Sequence, residues 1–288
     1  MSEPASPLDR IKLRRSFERA AAQYDATAVL QREIADRMLD RLDYVRVDPR
    51  WIVDLGTGTG YCARALLQRY TKASVIAVDL AWTMARAARK RRVWLRRPLA
   101  ICADAAALPL DDGRAELVFS NLMLQWCLPL DPYFAEIRRV MAAGGLLLFS
   151  TFGPDTLREL RQAWGDVDTG AHVHPFIDMH DVGDELLRAG FADPVMDMER
   201  ITLTYADVLD LMRDLKGIGA SNAMTGRAAG LTGAGAVRRL RQAYERFRGA
   251  SGRLPATYEV VYGHAWVPAA PAPSRLPERW IAVSAGER

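Results

Sequence analysis

The chain has 288 residues, half of them hydrophobic, with 39 basic against 35 acidic side chains and a formal net charge of +4. That length buries a substantial core and fits one elaborated domain or one domain with a large insertion. No apolar run approaches the ~20 residues of a membrane span, and so small a basic excess does not by itself point to nucleic acid, so neither membrane nor nucleic acid is expected as a partner.

The opening stretch MSEPASPLDRIKLRRSF lacks the apolar core of a secretory signal. Cys62, Cys102 and Cys127 are odd in number, widely spaced and without a C-x-x-C pair, which reads as reduced thiols in a cytoplasmic protein. Residues 10–41 predict helix, bent near Tyr24-Asp25-Ala26, with Leu30, Ile34, Met38 and Leu42 on one face; residues 1–45 are expected to form an N-terminal helical lid.

Residues 51–64 read WIVDLGTGTGYCAR. A short apolar run ends in Asp54, glycines follow at 56, 58 and 60, and Ala63, Leu66, Leu67 and Tyr70 then recur at helical spacing. This is strand, glycine turn, helix. Without a Cβ, such a turn lets a ligand press on the backbone while the helix start offers free N–H groups. The spacing is neither the G-x-G-x-x-G of a dinucleotide site nor the Gly-Lys-Ser/Thr of a P-loop. Glycine turns also occur in nucleotide-binding and ligand-free α/β domains. The acid-then-G-x-G-x-G form is similar to the first motif of class I S-adenosylmethionine-dependent methyltransferases.

Two further acids end strands. SVIAVDLAWTM places Asp79 at a distance from the turn that suits a carboxylate accepting both ribose hydroxyls. ICADAAALPL places Asp104 where the resemblance implies contact with the adenine amino group. It also implies that Tyr24 covers the sulfonium, and that Gln31, Leu80, Ala105 and Asn121 share the cofactor pocket with Asp54, Gly56, Gly58 and Gly60. The basic run at 86–97, RAARKRRVWLRR, reads as the solvated face of the helix after the second strand, with docking of an acidic partner as the alternative.

Residues 115–121 predict the fourth strand, continuing through 122–127. Ser120-Asn121-Leu122-Met123 lacks the prolines of amino-group methyltransferases acting on adenine or glutamine, which argues against methylation of a base nitrogen. Helix 131–140 and strand 146–150 follow, then helices at 154–164 and 178–189, and strands at 194–205 and 257–267. The alternation predicts an α/β fold, a doubly wound, Rossmann-like seven-stranded methyltransferase sheet. The cofactor-binding core is expected over 46–205, a helical substrate cap inserted over 206–256, the last core strand over 257–267 and a flexible tail over 268–288. The four histidines show no metal-ligand spacing, so no metal is expected; His264 reads as a core residue, and His174 and His180 as candidate substrate contacts.

Three longer stretches, VHPFIDMHDVGDELLRAGFADPVMDMERITLTY (173–205), LMRDLKGIGASNA (211–223) and LPATYEVVYGHAW (254–266), go beyond the superfamily. With FERAAAQYDATAVLQREIA (17–35), they resemble the malonyl-acyl carrier protein O-methyltransferases of biotin synthesis over residues 10–267. The resemblance implies methyl transfer from S-adenosylmethionine to the free carboxylate of a malonyl thioester on acyl carrier protein or coenzyme A. A carboxyl group with ordinary acidity near ~4 is ionised at neutral pH and needs no general base. Arg213 and Lys216 are candidates to orient it, and Arg227, Arg238, Arg239 and Arg241 to dock the acidic carrier. The alternatives are a small-molecule, quinone-type C- or O-methyltransferase, or a non-catalytic cofactor-binding protein of the same fold.

Overall fold

The computed structural model describes residues 8–170, 172–220 and 233–269. Helix α1 (Arg10–Ala20) starts where the Asp9 carboxylate accepts the Lys12 amide at 3.0 Å. The single turn α2 (Tyr24–Thr27) follows, and then α3 (Val29–Arg41), whose Leu30, Ile34 and Met38 recur at four-residue spacing and are all buried. Strand β1 (Trp51–Leu55) leads through the glycine turn into α4 (Tyr61–Arg69), and β2 (Ser74–Asp79) into α5 (Trp82–Ala88). Next come β3 (Leu99–Cys102), β4 (Ala115–Asn121), α6 (Asp131–Val140) and β5 (Met141–Phe152). Helices α7 (Arg158–Gly165) and α8 (Met179–Arg188) precede β6 (Ala192–Tyr205); α9 (Val208–Gly217) and α10 (Ala234–Tyr244) stand between it and β7 (Leu254–Trp266).

The strands form one seven-stranded sheet in the order β3-β2-β1-β4-β5-β7-β6. Strands β1 to β5 run parallel, while β7 is antiparallel to both its neighbours. The doubly wound sheet expected from the alternation of elements is therefore present. Side-chain period two divides each central strand between two cores. Ile52, Val75, Leu117 and Leu146 pack into one, whereas their immediate successors Val53, Ile76, Val118 and Leu147 pack into the other. Strands buried on both faces explain why their sequences read as continuous apolar runs.

In this register Val78 lies beside Leu55, Cys102 beside Asp79, and Asn121 beside Ser150. The ends of β1 to β4 therefore share one edge of the sheet. In open α/β sheets ligands bind outside this carboxyl edge.

Two stretches differ from expectation. The 86–97 run is not one helix: α5 stops at Ala88, and Val93 and Arg96 form an antiparallel bridge. Two of its arginines, Arg91 and Arg96, turn inward to bind backbone carbonyls, while Arg86, Arg89, Arg92 and Arg97 stay exposed. Arg96 donates to Leu67 O at 2.7 Å and to Tyr70 O at 3.3 Å, covering the last carbonyls of α4. Arg91 donates through Nε to Thr59 O at 2.9 Å. Nor does β4 continue through 122–127. Leu122 turns to φ +52°, and a short 3-10 turn runs from Leu124 to Trp126, held by Gln125 Nε2 donating to Leu122 O at 2.7 Å. Most of the glycine-rich stretch at 217–235 and of the expected tail lies outside the described residues.

Candidate functional site

A cleft enclosing about 960 Å³, its open mouth included, lies at the carboxyl edge of the sheet, where open α/β sheets bind their ligands. Its floor is the glycine turn. The Gly56 and Thr57 amides each donate to Val78 O at 2.9 Å, tying the turn to the neighbouring strand. Gly56, Gly58 and Gly60 all have positive φ, at +75°, +55° and +84°, a region that favours glycine. Their surroundings differ. A Cβ on Gly60 would stand 2.7 Å from the Ala88 backbone, so this glycine lets α4 start against α5 and does not line the cleft. A Cβ on Gly56 would meet the Met123 side chain at 2.5 Å, whereas one on Gly58 would project into the cleft, 3.8 Å from the Tyr24 ring.

The three strand-end acids separate by role. Asp54 is 1% exposed and accepts the Thr57 hydroxyl at 2.6 Å. Burial pushes its carboxyl up to about 7, against the opposing hydrogen bonds from Thr57 and the Ala63 amide. It lies behind the turn, outside the cleft lining. Asp79 does line the cleft. Its two oxygens accept the Gly58 amide at 2.9 Å and the Ala81 amide at 2.8 Å. Burial raises this carboxyl to about 6, again against those two bonds. Asp104 accepts the Ala106 amide at 2.9 Å through one oxygen and pairs through the other with the Arg10 guanidinium.

Tyr24, Gln31, Leu80, Ala105 and Asn121 also line the cleft. Asn121 ties α3 to the strand ends: Nδ2 donates to Gln31 O at 3.0 Å, and Oδ1 accepts the Ser150 hydroxyl at 2.8 Å. Of the sequence-predicted cofactor residues, then, all but Asp54 and Gly60 meet in one cleft.

Arg213 and Lys216 do not. Helix α9 turns Val208 and Leu211 inward, which leaves both cations on its exposed side, and Arg213 pairs with Asp210 at 2.7 Å. Of the expected docking residues, Arg241 is engaged by the Asp207 carboxylate that caps α9, and Arg227 lies outside the described residues. His180 is exposed beside the α8 cap, Asp178. His174 is 8% exposed behind Trp126, with ring centroids 4.9 Å apart. Burial lowers its pKa to about 4, so it is a neutral wall residue at physiological pH.

Sequence reasoning missed Arg10, Leu13 and Phe17, which line the cleft from α1, and Trp126 and Phe152. The signal for Arg10 was its place at i, i+3 and i+7 with Leu13 and Phe17, a cation on an otherwise apolar stripe. Among the described residues of the insertion before β7, Ile218 and Ala220 reach the cleft.

The parallel sheet closed by an antiparallel seventh strand, with a glycine turn and acids at successive strand ends, defines the fold of class I S-adenosylmethionine-dependent methyltransferases. The family described as methyltransferase domain matches residues 53–149. The fold is shared with a methyltransferase from Thermotoga maritima, at a TM-score of 0.53 and 16% identity over 88% of this chain and 99% of that one. It is shared equally with the [4+2]-cyclase SpnF, at 0.52 and 19% over 82% of each chain, so fold alone does not fix the chemistry.

Sequence is more specific. The chain is 56% identical to malonyl-[acyl-carrier protein] O-methyltransferase of Halorhodospira halophila, covering 91% of this chain and 89% of that protein. It is 54% identical to the enzyme of the same name from Laribacter hongkongensis, covering 91% of each. The chain belongs to the malonyl-[acyl-carrier protein] O-methyltransferase family.

Proposed function

We infer that the protein transfers the methyl group of S-adenosylmethionine to the free carboxylate of malonyl-acyl carrier protein. The observation that carries this reading is identity above one half to enzymes of that name over nine-tenths of the chain. The cleft suits the cofactor. Gly58 presents bare backbone to it, Asp79 is already oriented by two amides, and Asp104 and Ala105 stand one strand further along. In this reading Asp79 accepts the ribose hydroxyls, Asp104 and Ala105 meet the adenine, and Tyr24, Gln31 and Asn121 border the methionine portion. S-adenosylmethionine supplies an electrophilic methyl on a sulfonium. A carboxylate oxygen forms the new C–O bond as the S–CH3 bond breaks, leaving a methyl ester and a neutral thioether, with no proton to move.

The chain's own contribution is orientation and exclusion of water. Proximity and alignment of this kind supply roughly 7–11 kcal/mol of barrier lowering. Residues 1–45 would act as a lid through the α1 face carrying Arg10, Leu13 and Phe17, and residues 206–256 as a cap through Ile218 and Ala220. Trp126 and Phe152 form an apolar wall against which the thioester can lie.

Incubating purified protein with labelled S-adenosylmethionine and malonyl-carrier protein should give labelled methyl ester, and acetyl-carrier protein should give none. Label on a quinone precursor, with none on malonyl thioester, would overturn the reading.

A further inference from the structure

Helix α1 has two working faces. Arg10, Leu13 and Phe17 line the cleft, while Ile11, Arg14, Arg15 and Arg19 are exposed on the opposite side. At 100° per residue these four fall on one arc, centred on Ile11, which is 60% exposed. Glu18 is the one acid of α1, and Arg14 lies 3.7 Å from it. Among the described residues, Arg15 and Arg19 have no ion-pair partner. The outer face is thus a cationic stripe around an exposed aliphatic side chain, laid over the wall of the cleft.

We propose that this outer face of α1 is the docking surface for the acidic carrier protein that presents the malonyl group, a proposal that rests on the substrate reading above. A carrier delivers its acyl group on a flexible arm, so it must dock beside the cleft mouth. The α1 stripe is one helix diameter, about 10–12 Å, from the cleft lining. Two other basic surfaces compete. Helix α10 offers Arg238 and Arg239, but it packs through Leu240 and Tyr244 onto the sheet core and no described residue of it reaches the cleft. The exposed tip Trp94-Leu95, flanked by Arg92 and Arg97, is at the wrong edge of the sheet. Arg96, within it, reaches the carbonyls at the end of α4 just before β2 begins, a full strand length of roughly 20 Å from the carboxyl edge. On this proposal the acidic partner docks on α1 in preference to Arg238, Arg239 and Arg241 of the insertion.

The test compares wild-type protein with Arg15→Glu/Arg19→Glu and Arg238→Glu/Arg239→Glu on two substrates, malonyl-carrier protein and malonyl-pantetheine. The second carries the arm's chemistry without the protein. Rim charges act mainly on association and its salt dependence, so the α1 pair should lower kcat/KM for malonyl-carrier protein by about tenfold or more at low salt, chiefly through KM. The deficit should shrink as salt is added, and Arg15→Gln/Arg19→Gln should show a smaller loss in the same direction. Turnover of malonyl-pantetheine and the Kd for S-adenosylmethionine should stay within about twofold, as should every parameter of the α10 pair. Equal losses on both substrates, or a larger carrier-specific loss from the α10 pair, would overturn the proposal. Wild-type protein that methylates neither thioester would reject the substrate reading itself. Wild-type protein that treats both thioesters alike would keep that reading and reject the docking face.

Discussion

Replacing Asp79 with Asn is the sharpest test of how the cleft recognises its cofactor. The side chain keeps its size but loses its charge and one acceptor. In the native protein the two carboxylate oxygens accept the Gly58 and Ala81 amides at 2.9 and 2.8 Å. An asparagine oxygen can serve only one of them, and its NH2 would face the other. Two effects add. A hydrogen bond to a charged group is worth roughly 1.5–3 kcal/mol against about 1 for a neutral one, so two ribose hydroxyls lose roughly 2–3 kcal/mol between them. Loosening the turn at Gly58 adds about 1 kcal/mol. At about 1.4 kcal/mol per tenfold, calorimetric titration at pH 8 should show S-adenosylmethionine binding weakened by roughly two to three orders of magnitude, with the variant still folded.

The same residue predicts its own pH dependence. Burial raises the Asp79 carboxyl to about 6 in the free protein, so the wild type holds it ionised above pH 6 and protonated below. Wild-type affinity should therefore fall as pH drops through 6, by about tenfold for each further unit, while the Asn variant stays flat over that range. The two curves converge at low pH. A variant within about threefold of wild type at pH 8, or one that tracks the wild-type pH profile, would refute the assignment of Asp79 to the ribose hydroxyls.

Three further substitutions probe the turn itself. Asp54 has a carboxyl raised to about 7 by burial, so the folded state holds a proton that the unfolded chain releases near pH 4. Stability is fully present below pH 4 and declines as pH rises to 7, by roughly 4 kcal/mol from this group. Asp54→Asn should remove that decline, so the variant's Tm relative to wild type should climb between pH 5 and pH 8; a constant difference across that range would count against it. Gly60→Ala should destabilise the whole protein by several kcal/mol, since the added Cβ lands 2.7 Å from the Ala88 backbone at φ +84°. Gly58→Ala, facing the open cleft, should lose only the cost of a left-handed alanine, about 1–2 kcal/mol or a few degrees of Tm, and fail chiefly in cofactor binding.

What could be read in the sequence was what local spacing encodes. Short continuous apolar runs gave the strands, and the abrupt change at Gly60 to three- and four-residue recurrence gave the start of α4. Strands that end at a shared edge carry their last residues there, so Asp79 and Asp104 could be placed together from chain order alone. What escaped was set by contacts between distant segments. Arg10 and Asp104 are 94 residues apart, and nothing local marks them as partners. Asp54 and Gly60 match the motif as closely as Gly58 does, yet one turns behind the strand and the other packs against Ala88. The run at 86–97 has the composition of a solvated helix, but Arg91 and Arg96 are drawn to carbonyls of the preceding turn and helix. Arg213 and Lys216 had the right charge for a malonyl carboxylate; the apolar face of α9 fixed them on the outside.

That outcome bears on how the reaction is helped. The reactants of a carboxylate O-methylation are an anion and a sulfonium cation, and both charges vanish as the methyl is transferred. The transition state is less charged than the ground state, so an environment that solvates charge strongly holds the reactants back. A cation gripping the carboxylate would do the same. Among the described residues lining the cleft, Arg10 is the cation, and its guanidinium is engaged by Asp104. The wall beyond is Leu13, Phe17, Leu122, Met123, Trp126 and Phe152, which offers little to stabilise separated charge. An apolar chamber, with its one described cation engaged by a carboxylate, suits charge neutralisation better than the arginine clamp that the charge of the substrate first suggests. On the proposed reading, lid, cap and wall would act by holding two mutually attracted ions in line and dry, and the enzyme's leverage on this reaction would lie there.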